Sequence, residues 1–190
     1  MKNITPVDRP YRHAGFSMVE VSITIAVIFI VAGFALTNIA GTMPAIRANA
    51  ALDMAVAQLR RGRELALAQR RNIEIKFLNN NQIQLIRNEV PNGTTILSTV
   101  TLENKIEFQL FDGVPDTPDS FGKGAAVNFG GTAPRTFLSD GTLVDVQANP
   151  VNGTIFLGLP NHPETARAVT ILGATGRVRG YRWTGTNWSK

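Results

Sequence analysis

The first long feature of the chain is an uninterrupted apolar run. Residues 21–36 carry no charge, and with their flanks the apolar stretch covers 16–40, enough to cross a bilayer as a helix. The many β-branched residues weaken a helix in water, but in lipid every backbone group must bond within the segment. Basic residues mark the cytoplasmic side of such a helix, and Lys2, Arg9 and Arg12 precede the run. We therefore expect a single-pass inner-membrane helix with a cytoplasmic N-terminus and a periplasmic remainder.

A second helical pattern follows Gly41 and Pro44, either of which can loosen or bend a helix. Over 45–71, apolar residues recur at helical steps, at Leu52, Val56, Leu59 and Ala66. The pattern predicts an amphipathic helix whose alanine-rich stripe packs closely against another surface. Three arginines spread around this helix, and we interpret them as a solvated helix end: Arg60, Arg61 and Arg63.

After residue 72 the period changes from helical to two, which is typical of half-buried strands separated by turns. Strands are predicted at 72–77, 82–87, 94–102, 105–111, 126–129, 136–138, 142–146, 154–159, 168–172 and 177–183. Their spacing indicates an antiparallel β head over 72–190. The loop at 112–124 is rich in Pro, Gly and Asp. Its acids, Asp112, Asp116 and Asp119, lack the spacing of a calcium-binding EF-hand, so we interpret them as solvated.

Charge is distributed unevenly along the chain. The net charge of +5 combines +1 over 1–46, +4 over 47–71, −5 over 72–166 and +5 over 167–190. The chain has no cysteine and two histidines far apart in sequence, which excludes disulfides, thiolate sites and a histidine-rich metal cluster. We expect no metal and no cofactor. Neither Ser139-Asp140 nor His162 has sequence neighbours that suggest catalysis, and no phosphate-binding glycine loop occurs, so the sequence predicts no enzyme.

One carboxylate, Glu20, stands directly before the apolar run. An ionised group inside a membrane segment is unfavourable, so it is expected to have a function and a positively charged partner. An ordinary membrane anchor with an interfacial glutamate remains an alternative. A cleaved secretory signal peptide is a second alternative. Against it, the apolar run is longer than the apolar region of a typical signal peptide, and no small-residue cleavage site stands cleanly at its end.

The stretch Gly15-Phe16-Ser17-Met18-Val19-Glu20 resembles the N-terminal signature of type IV pilins and type II secretion pseudopilins. The resemblance implies that a prepilin peptidase cuts after Gly15 and that Phe16 becomes the N-methylated first residue. It also implies that Glu20 pairs with a terminal α-amine, its own or a neighbour's, and so supports filament assembly. The implied organisation is a leader at 1–15, an N-terminal helix at 16–71 (transmembrane over 16–40, amphipathic over 45–71) and a head at 72–190.

The head resembles the GspH/FimT family of minor pilins and pseudopilins, through Phe137-Leu-Ser-Asp140-Gly141 and Gly176-Arg177-Val178-Arg179. The resemblance implies an α+β, pilin-like fold, with the long helix packed on an antiparallel sheet head. It also implies a non-enzymatic subunit that assembles with other pilins or pseudopilins, in a type IV pilus or a type II secretion pseudopilus. A single-pass anchored periplasmic domain without a filament is a further alternative.

Basic and aromatic residues are interleaved in the C-terminal region: Arg177, Arg179, Tyr181, Arg182, Trp183, Trp188 and Lys190. Cations beside rings can bind phosphates and stack on bases. In FimT-like proteins the Gly-Arg-x-Arg element is associated with DNA binding during natural transformation. That resemblance implies DNA as an alternative partner, with Arg177, Arg179, Arg182 and Lys190 as the binding residues. The competing interpretation is an arginine-protected edge strand whose rings cover the core. We expect the arginines to be removable without loss of the fold.

Overall fold

The computed structural model describes residues 15–190, without the side chains of 35–40. The expected leader lies outside the described residues except for Gly15. By chain contacts the protein divides into two compact units, of which the first ends at Thr42 and the second covers Met43–Lys190.

One long helix, α1, runs from Met18 to Gln69 and passes through Pro44 without interruption. The sequence indicated that Gly41 or Pro44 can loosen or bend the helix, and the helical conformation continues through both residues. A proline inside a helix removes one N–H donor, but the alanine-rich sequence that follows favours the helix strongly. The unit boundary still falls close to this proline, between Thr42 and Met43.

Between residues 18 and 34, the apolar side chains of α1 are exposed. Their exposed fractions run from 45% at Val21 to 87% at Met18, and Phe16 just before the helix is 83% exposed. The group consists of Phe16, Met18, Val19, Val21, Ile23, Ile25, Val27, Ile28, Phe29, Ile30, Val31 and Phe34. Within the residues that the structure describes, no helix combines the length and apolar character needed to span a membrane.

The second unit contains the last part of α1 and eleven antiparallel strands in two sheets. The first sheet has the order β3-β2-β1-β6-β7, formed by β1 (Ile73–Leu78), β2 (Gln82–Asn88), β3 (Thr94–Thr101), β6 (Arg135–Phe137) and β7 (Leu143–Val144). The second has the order β11-β10-β9-β8-β4, and β5 also pairs with β8. Its strands are β4 (Glu107–Phe108), β5 (Val127–Phe129), β8 (Gly153–Gly158), β9 (Arg167–Leu172), β10 (Arg177–Trp183) and β11 (Trp188–Ser189).

The α+β fold with an antiparallel head is confirmed, and most strands lie within two residues of their predicted positions. The strand predicted at 105–111 is the main difference, because only Glu107–Phe108 pairs. Asn104 and Lys105 have φ angles of 60° and 63°, a left-handed conformation that a strand does not use. The short β11 and two 3-10 helices, Pro163–Thr165 and Gly173–Thr175, were not predicted.

One stripe of α1 packs on the sheets and forms the core of the second unit. The buried residues of the stripe are Ala48, Ala51, Leu52, Ala55, Gln58, Leu59, Gly62 and Ala66. Gly62 is required by close approach, because a Cβ there would lie 2.9 Å from Leu85 Cδ2. All buried apolar side chains of the described residues belong to 48–190. The unit 43–190 therefore contains a complete core of its own and can be studied separately.

Candidate functional site

The N-terminal candidate residues lie at the start of α1. Ser17 caps the helix: its hydroxyl accepts from the Val19 N–H at 3.3 Å, and its carbonyl accepts from the Val21 N–H at 3.1 Å. An N-cap serine satisfies donors that the first turn leaves free. Gly15 and Phe16 precede this cap in non-helical conformation and are exposed. The predicted cleavage point is therefore accessible and outside the helix.

Polar groups in the first turns of α1 are bonded within the helix. The Ser22 hydroxyl donates to the Met18 carbonyl at 2.9 Å, and the Thr24 hydroxyl donates to the Glu20 carbonyl at 2.7 Å. Such back-bonding hides hydroxyls from an apolar environment. The Glu20 carboxylate is different, because it is exposed and has no partner among the described residues. It lies in the first turn, where the helix dipole favours a negative charge.

Three of the four C-terminal candidate residues, Arg177, Arg179 and Arg182, lie on β10, between β9 and β11. Successive side chains of a strand point to opposite faces, so Arg177, Arg179 and Tyr181 share one face and Arg182 belongs to the other. On that second face, Arg182 Nη2 lies 4.0 Å from Asp53 Oδ1 of α1. The four predicted DNA-binding residues therefore do not form one surface. Lys190 is exposed after β11.

Asp119 organises the face that carries Arg179. Its Oδ1 accepts from Arg179 Nη1 at 2.7 Å. Its Oδ2 accepts from the Thr170 hydroxyl at 2.6 Å and from the Tyr181 hydroxyl at 2.9 Å. The Asp119 side chain is only 12% exposed. The interpretation of this residue as solvated loop is wrong, because it holds the 112–124 loop against β9 and β10.

The electrostatics of this cluster favour an ionised carboxylate. Desolvation is the largest single influence and raises the pKa of Asp119, but the hydrogen bonds from Thr170 and Tyr181 and the charge of Arg179 together outweigh it. The net pKa of Asp119 is below its usual value. In turn, the hydrogen bond with Tyr181 and the carboxylate of Asp119 raise the pKa of Arg179 despite some desolvation. Arg179 is thus a structural cation here, and its removal is expected to weaken the fold, contrary to the sequence-based expectation.

The aromatic residues near β10 pack instead of standing free. Trp183 and Trp188 have ring centroids 5.4 Å apart, and Trp188 lies 6.2 Å from Phe156. The Trp188 indole N–H also donates to the Pro115 carbonyl at 3.0 Å, which ties β11 to the same loop. Tyr181 is 1% exposed. These contacts favour the interpretation in which the rings cover the core.

Two arginines of α1, Arg60 and Arg63, hold this region through hydrogen bonds that the sequence did not predict. Arg63 Nε donates to the Thr175 carbonyl at 3.0 Å, and Arg60 Nη2 donates to the Val178 carbonyl at 3.4 Å. With Arg177 they line a groove of about 510 Å³. Both are therefore more than a solvated helix end. Arg60 and Arg63 are three residues apart, which places them on one helix face. This spacing is the feature of the sequence that could have indicated a shared contact.

Gly176, in the turn before β10, has a φ of 62°, and a Cβ there would lie 2.1 Å from the Gly141 carbonyl oxygen. The turn therefore requires glycine both for its left-handed conformation and for its space. The same Cβ would lie 2.7 Å from Arg63 Cδ, so the turn lies against this helix arginine.

Arg167 is a second basic residue that serves the fold. It is 4% exposed, and its Nε donates to Asn49 Oδ1 at 2.8 Å. Its Nη1 donates to the carbonyls of Glu164 and Ala166 at 3.3 and 2.8 Å. Burial, and then the charge of Arg182, lower the pKa of Arg167. This arginine connects β9 to α1 and is not available to an external partner.

The other titratable groups among the described residues add no metal site. His162 Nδ1 lies 2.7 Å from Glu164 Oε1 in an exposed pair. Between residues 15 and 190, no group of three or more acidic or histidine side chains could hold a metal ion.

No protein-family model and no curated protein sequence matches the chain. Among solved structures, the chain is similar to the minor pseudopilin EpsH from the type 2 secretion system of Vibrio cholerae. The sequences are 13% identical, the match covers 70% of this chain and 95% of that one, and the TM-score is 0.47. It is also similar to the type IV minor pilin FimU of Pseudomonas aeruginosa in two crystal forms. In the first crystal form the sequences are 15% identical, and the match covers 75% of this chain and 92% of that one. In the second they are 16% identical, and the match covers 75% of this chain and 97% of that one. The TM-score is 0.48 in both.

The Asp119 cluster predicts a pH dependence of stability. Because the pKa of Asp119 is lowered in the folded state, its contribution is present above about pH 4 and is lost as the pH falls through the lowered pKa. We expect Asp119→Asn to lower the free energy of unfolding of the 43–190 unit by about 1–3 kcal/mol at neutral pH. The variant should also lose less stability on acidification, because asparagine does not titrate. Urea unfolding at neutral and acidic pH measures both effects.

The matched control is Asp112→Asn, which removes an exposed carboxylate from the same loop. It should change the free energy of unfolding by no more than about 0.5 kcal/mol. Equal effects of the two variants would contradict a structural role for Asp119.

Proposed function

We propose that this protein is a minor pilin or pseudopilin, a structural subunit of a type IV pilus or of a type II secretion pseudopilus. The proposal depends on one observation. The apolar side chains of Phe16 and of the first part of α1, as far as Phe34, are exposed, while the head has its own core. Exposed apolar surface of this extent indicates burial against partners or lipid. The prepilin-type signature at 15–20 supports the same function. The domain limits proposed are a leader at 1–15, the helix at 16–71 and the head at 72–190.

The proposed assembly uses α1 in two environments. Before assembly, the apolar segment lies in the inner membrane with the head in the periplasm. In the filament, it packs among the helices of other pilins or pseudopilins. Because lipid is as apolar as the segment, this contact depends on van der Waals packing and on polar partners rather than on the removal of apolar surface from water. The absence of a partner for Glu20 within the described residues leaves its carboxylate available to such a neighbour.

The proposed partner of Glu20 is a terminal amine. Cleavage by a prepilin peptidase after Gly15 would place a positive charge at Phe16, four residues before Glu20. A carboxylate and an ammonium group in an apolar environment stabilise each other when their geometry is good, and either one alone is unfavourable. The pair therefore selects the processed chain and fixes its register beside its neighbour. N-methylation retains the positive charge.

A second candidate function, DNA binding by the head, is supported by a narrower set of residues. Arg177 lines a groove with Arg60 and Arg63, and Arg182 and Lys190 are exposed. Phosphate contacts supply most of the affinity of non-specific DNA binding. Arg179 is held by Asp119, so we assign it no DNA contact. The proposed DNA-binding residues are therefore Arg177, Arg182 and Lys190.

Processing after Gly15 is the first expected outcome. The mature protein from cells that possess a prepilin peptidase should begin at an N-methylated Phe16 when measured by mass spectrometry. Gly15→Val should retain the leader, since the side chain is enlarged at the cleavage point. The conservative Gly15→Ala variant serves as the control and should be processed to a greater extent. An intact Met1 in the wild-type protein would contradict the proposal.

Replacement of Glu20 should separate membrane insertion from assembly. Glu20→Val removes an unfavourable charge from an apolar segment, so insertion should be retained. Incorporation into filaments should fall, because the neighbouring amine loses its partner. Immunoblots of membrane and sheared-filament fractions measure the two steps. Val21→Ala is a control that shortens a neighbouring side chain and leaves the charge unchanged. Normal filament incorporation of Glu20→Val would argue against the ion pair.

Salt titration tests DNA binding by the 43–190 unit. Each phosphate contact contributes about −0.9 to the log–log slope, so Arg177→Gln should make the slope shallower by about 0.9. Lys105→Gln removes the same charge from an exposed loop and should leave the slope unchanged. Fluorescence anisotropy with labelled duplex measures both variants. A wild-type unit that shows no salt-sensitive binding would exclude this second function and leave the filament proposal intact.

A further inference from the structure

One side of β1 is only partly covered by a neighbouring strand. β1 has six residues, but β6 pairs only with residues 73–75. β6 begins at Arg135, and the preceding Pro134 has no N–H group to donate to a ladder. Among the strands of residues 15–190, no other pairs with β1 on this side. Residues 76–78 of β1 therefore present an open stretch of strand edge.

A cavity of about 550 Å³ lies along this open stretch. It is lined by residues 74–78 of β1, by Val127 of β5 and by residues 133–135. Phe77, Leu78 and Val127 are partly buried and give the cavity apolar walls. Its volume is in the range of sites that bind ligands. An open strand edge and a ligand-sized space therefore coincide.

Arg135 lines this cavity, and its side chain has no hydrogen-bonding partner among the described residues. Its Nε is buried and makes no hydrogen bond there. Its Cζ lies 5.6 Å from the centre of the Phe129 ring, an attractive contact between a charge and a ring that supplies no acceptor oxygen. A buried donor without an acceptor is unfavourable. The guanidinium group is therefore stabilised by a ligand that supplies an acceptor at this point.

The one carboxylate that lines the cavity, Glu74, does not serve Arg135. Arg135 stands directly opposite Ile75 in the β1–β6 register, and residues in such a pair lie on the same face of the sheet. Glu74 belongs to the other face, where its Oε1 lies 3.5 Å from Lys76 Nζ. Because Glu74 and Lys76 compensate each other, Arg135 is the uncompensated charge of the cavity.

We propose that this cavity binds the carboxyl-terminal end of an extended peptide from a partner protein. The terminal carboxylate accepts hydrogen bonds from Arg135, and the peptide backbone pairs with residues 76–78 of β1. A guanidinium fork matches the two oxygens of a carboxylate. The single uncompensated cation fits one negative charge better than a phosphate group, which carries between about 1.5 and 2 charges at neutral pH.

The direction of the bound peptide follows from that of β6. A peptide that continues the line of β6 beside residues 76–78 runs antiparallel to β1, as β6 does, and its last residue lies next to Arg135. The opposite direction would place the carboxylate at the Leu78 end of the open stretch. When a peptide adds a strand to a sheet, the backbone supplies affinity and side-chain pockets supply specificity. The walls at Phe77 and Val127 favour an apolar side chain near the peptide terminus.

This site is independent of the proposed filament contacts and does not rest on the proposed function. All residues that line the cavity belong to the 43–190 unit, and none belongs to α1. One peptide end occupies one head, so binding imposes no symmetry on two copies of the chain. The 43–190 unit alone is therefore sufficient to test the site.

NMR titration of this unit measures both parts of the contact. The probe is a mixture of N-acetylated tetrapeptides that end in Val, Leu or Phe with a free carboxyl group. The Nε–H signal of Arg135 and the backbone amide signals of residues 76–78 should shift together, with half-saturation at or below about 1 mM total peptide. The same mixture with carboxyl-terminal amides should bind at least about tenfold more weakly, because the charge-assisted hydrogen bonds are lost.

Three results of this titration would overturn the proposal. The first is the absence of a saturable shift up to about 5 mM peptide. The second is equal binding of the free and amidated mixtures, which would show that the carboxylate is not recognised. The third is an equal Kd for acetate, which would show that the open strand and the apolar walls contribute nothing.

A pair of variants then locates the charge that is recognised. Arg135→Gln should raise the Kd of the free-carboxylate mixture at least about tenfold and leave the binding of the amidated mixture unchanged. Lys76→Gln is the matched control, because it removes the same charge from the opposite face of β1, and it should change the Kd less than about threefold. Thermal melting confirms that both variants are folded, and the comparison of carboxylate with amide on the wild-type unit needs no variant. Equal effects of the two substitutions would contradict the assignment of Arg135.

Discussion

The head depends on close packing between the alanine-rich stripe of α1 and the two sheets. Small residues make this contact possible: Ala51 and Ala55 are buried on the helix, and a Cβ at Gly62 or Gly180 would lie within 3.3 Å of side chains across the contact. Interiors packed to this density tolerate little change in volume. Because the helix buries only one stripe of its second part, the remaining apolar surface of α1 is left for other partners.

The order of elements was predictable because the hydrophobic period changes from helical to two at residue 72. Where the structure differs from the predicted elements, the causes are local and do not change the hydrophobic period. At 105–111 the alternation of apolar residues is correct, but the left-handed conformations of Asn104 and Lys105 delay the strand. At Pro44 the sequence indicated a position that can loosen or bend a helix, and α1 continues through it as one helix. The two-residue β11 is too short for any pattern to identify.

The candidate sites were predictable to different degrees. Gly15, Phe16 and Glu20 are neighbours in sequence, so their common position at the start of α1 follows from the chain itself. The contacts of Arg179 could not be predicted from the order of residues, because its partner Asp119 lies 60 residues earlier in the chain. A loop rich in Asp and Pro gives no indication that one of its carboxylates is covered by a tyrosine, a threonine and an arginine. In this head, several basic residues that look free in the sequence hold the fold together.

The Asp119 cluster also constrains the order in which the head can fold. The loop around Asp119 receives its anchors from Tyr181 and, through Pro115, from Trp188. Those contacts span 62 and 73 residues, and such distant pairs form only after the intervening chain has been brought together. The loop can therefore be fixed only after β10 and β11 are in place, which makes the covering of this aromatic surface a late event in the folding of the head.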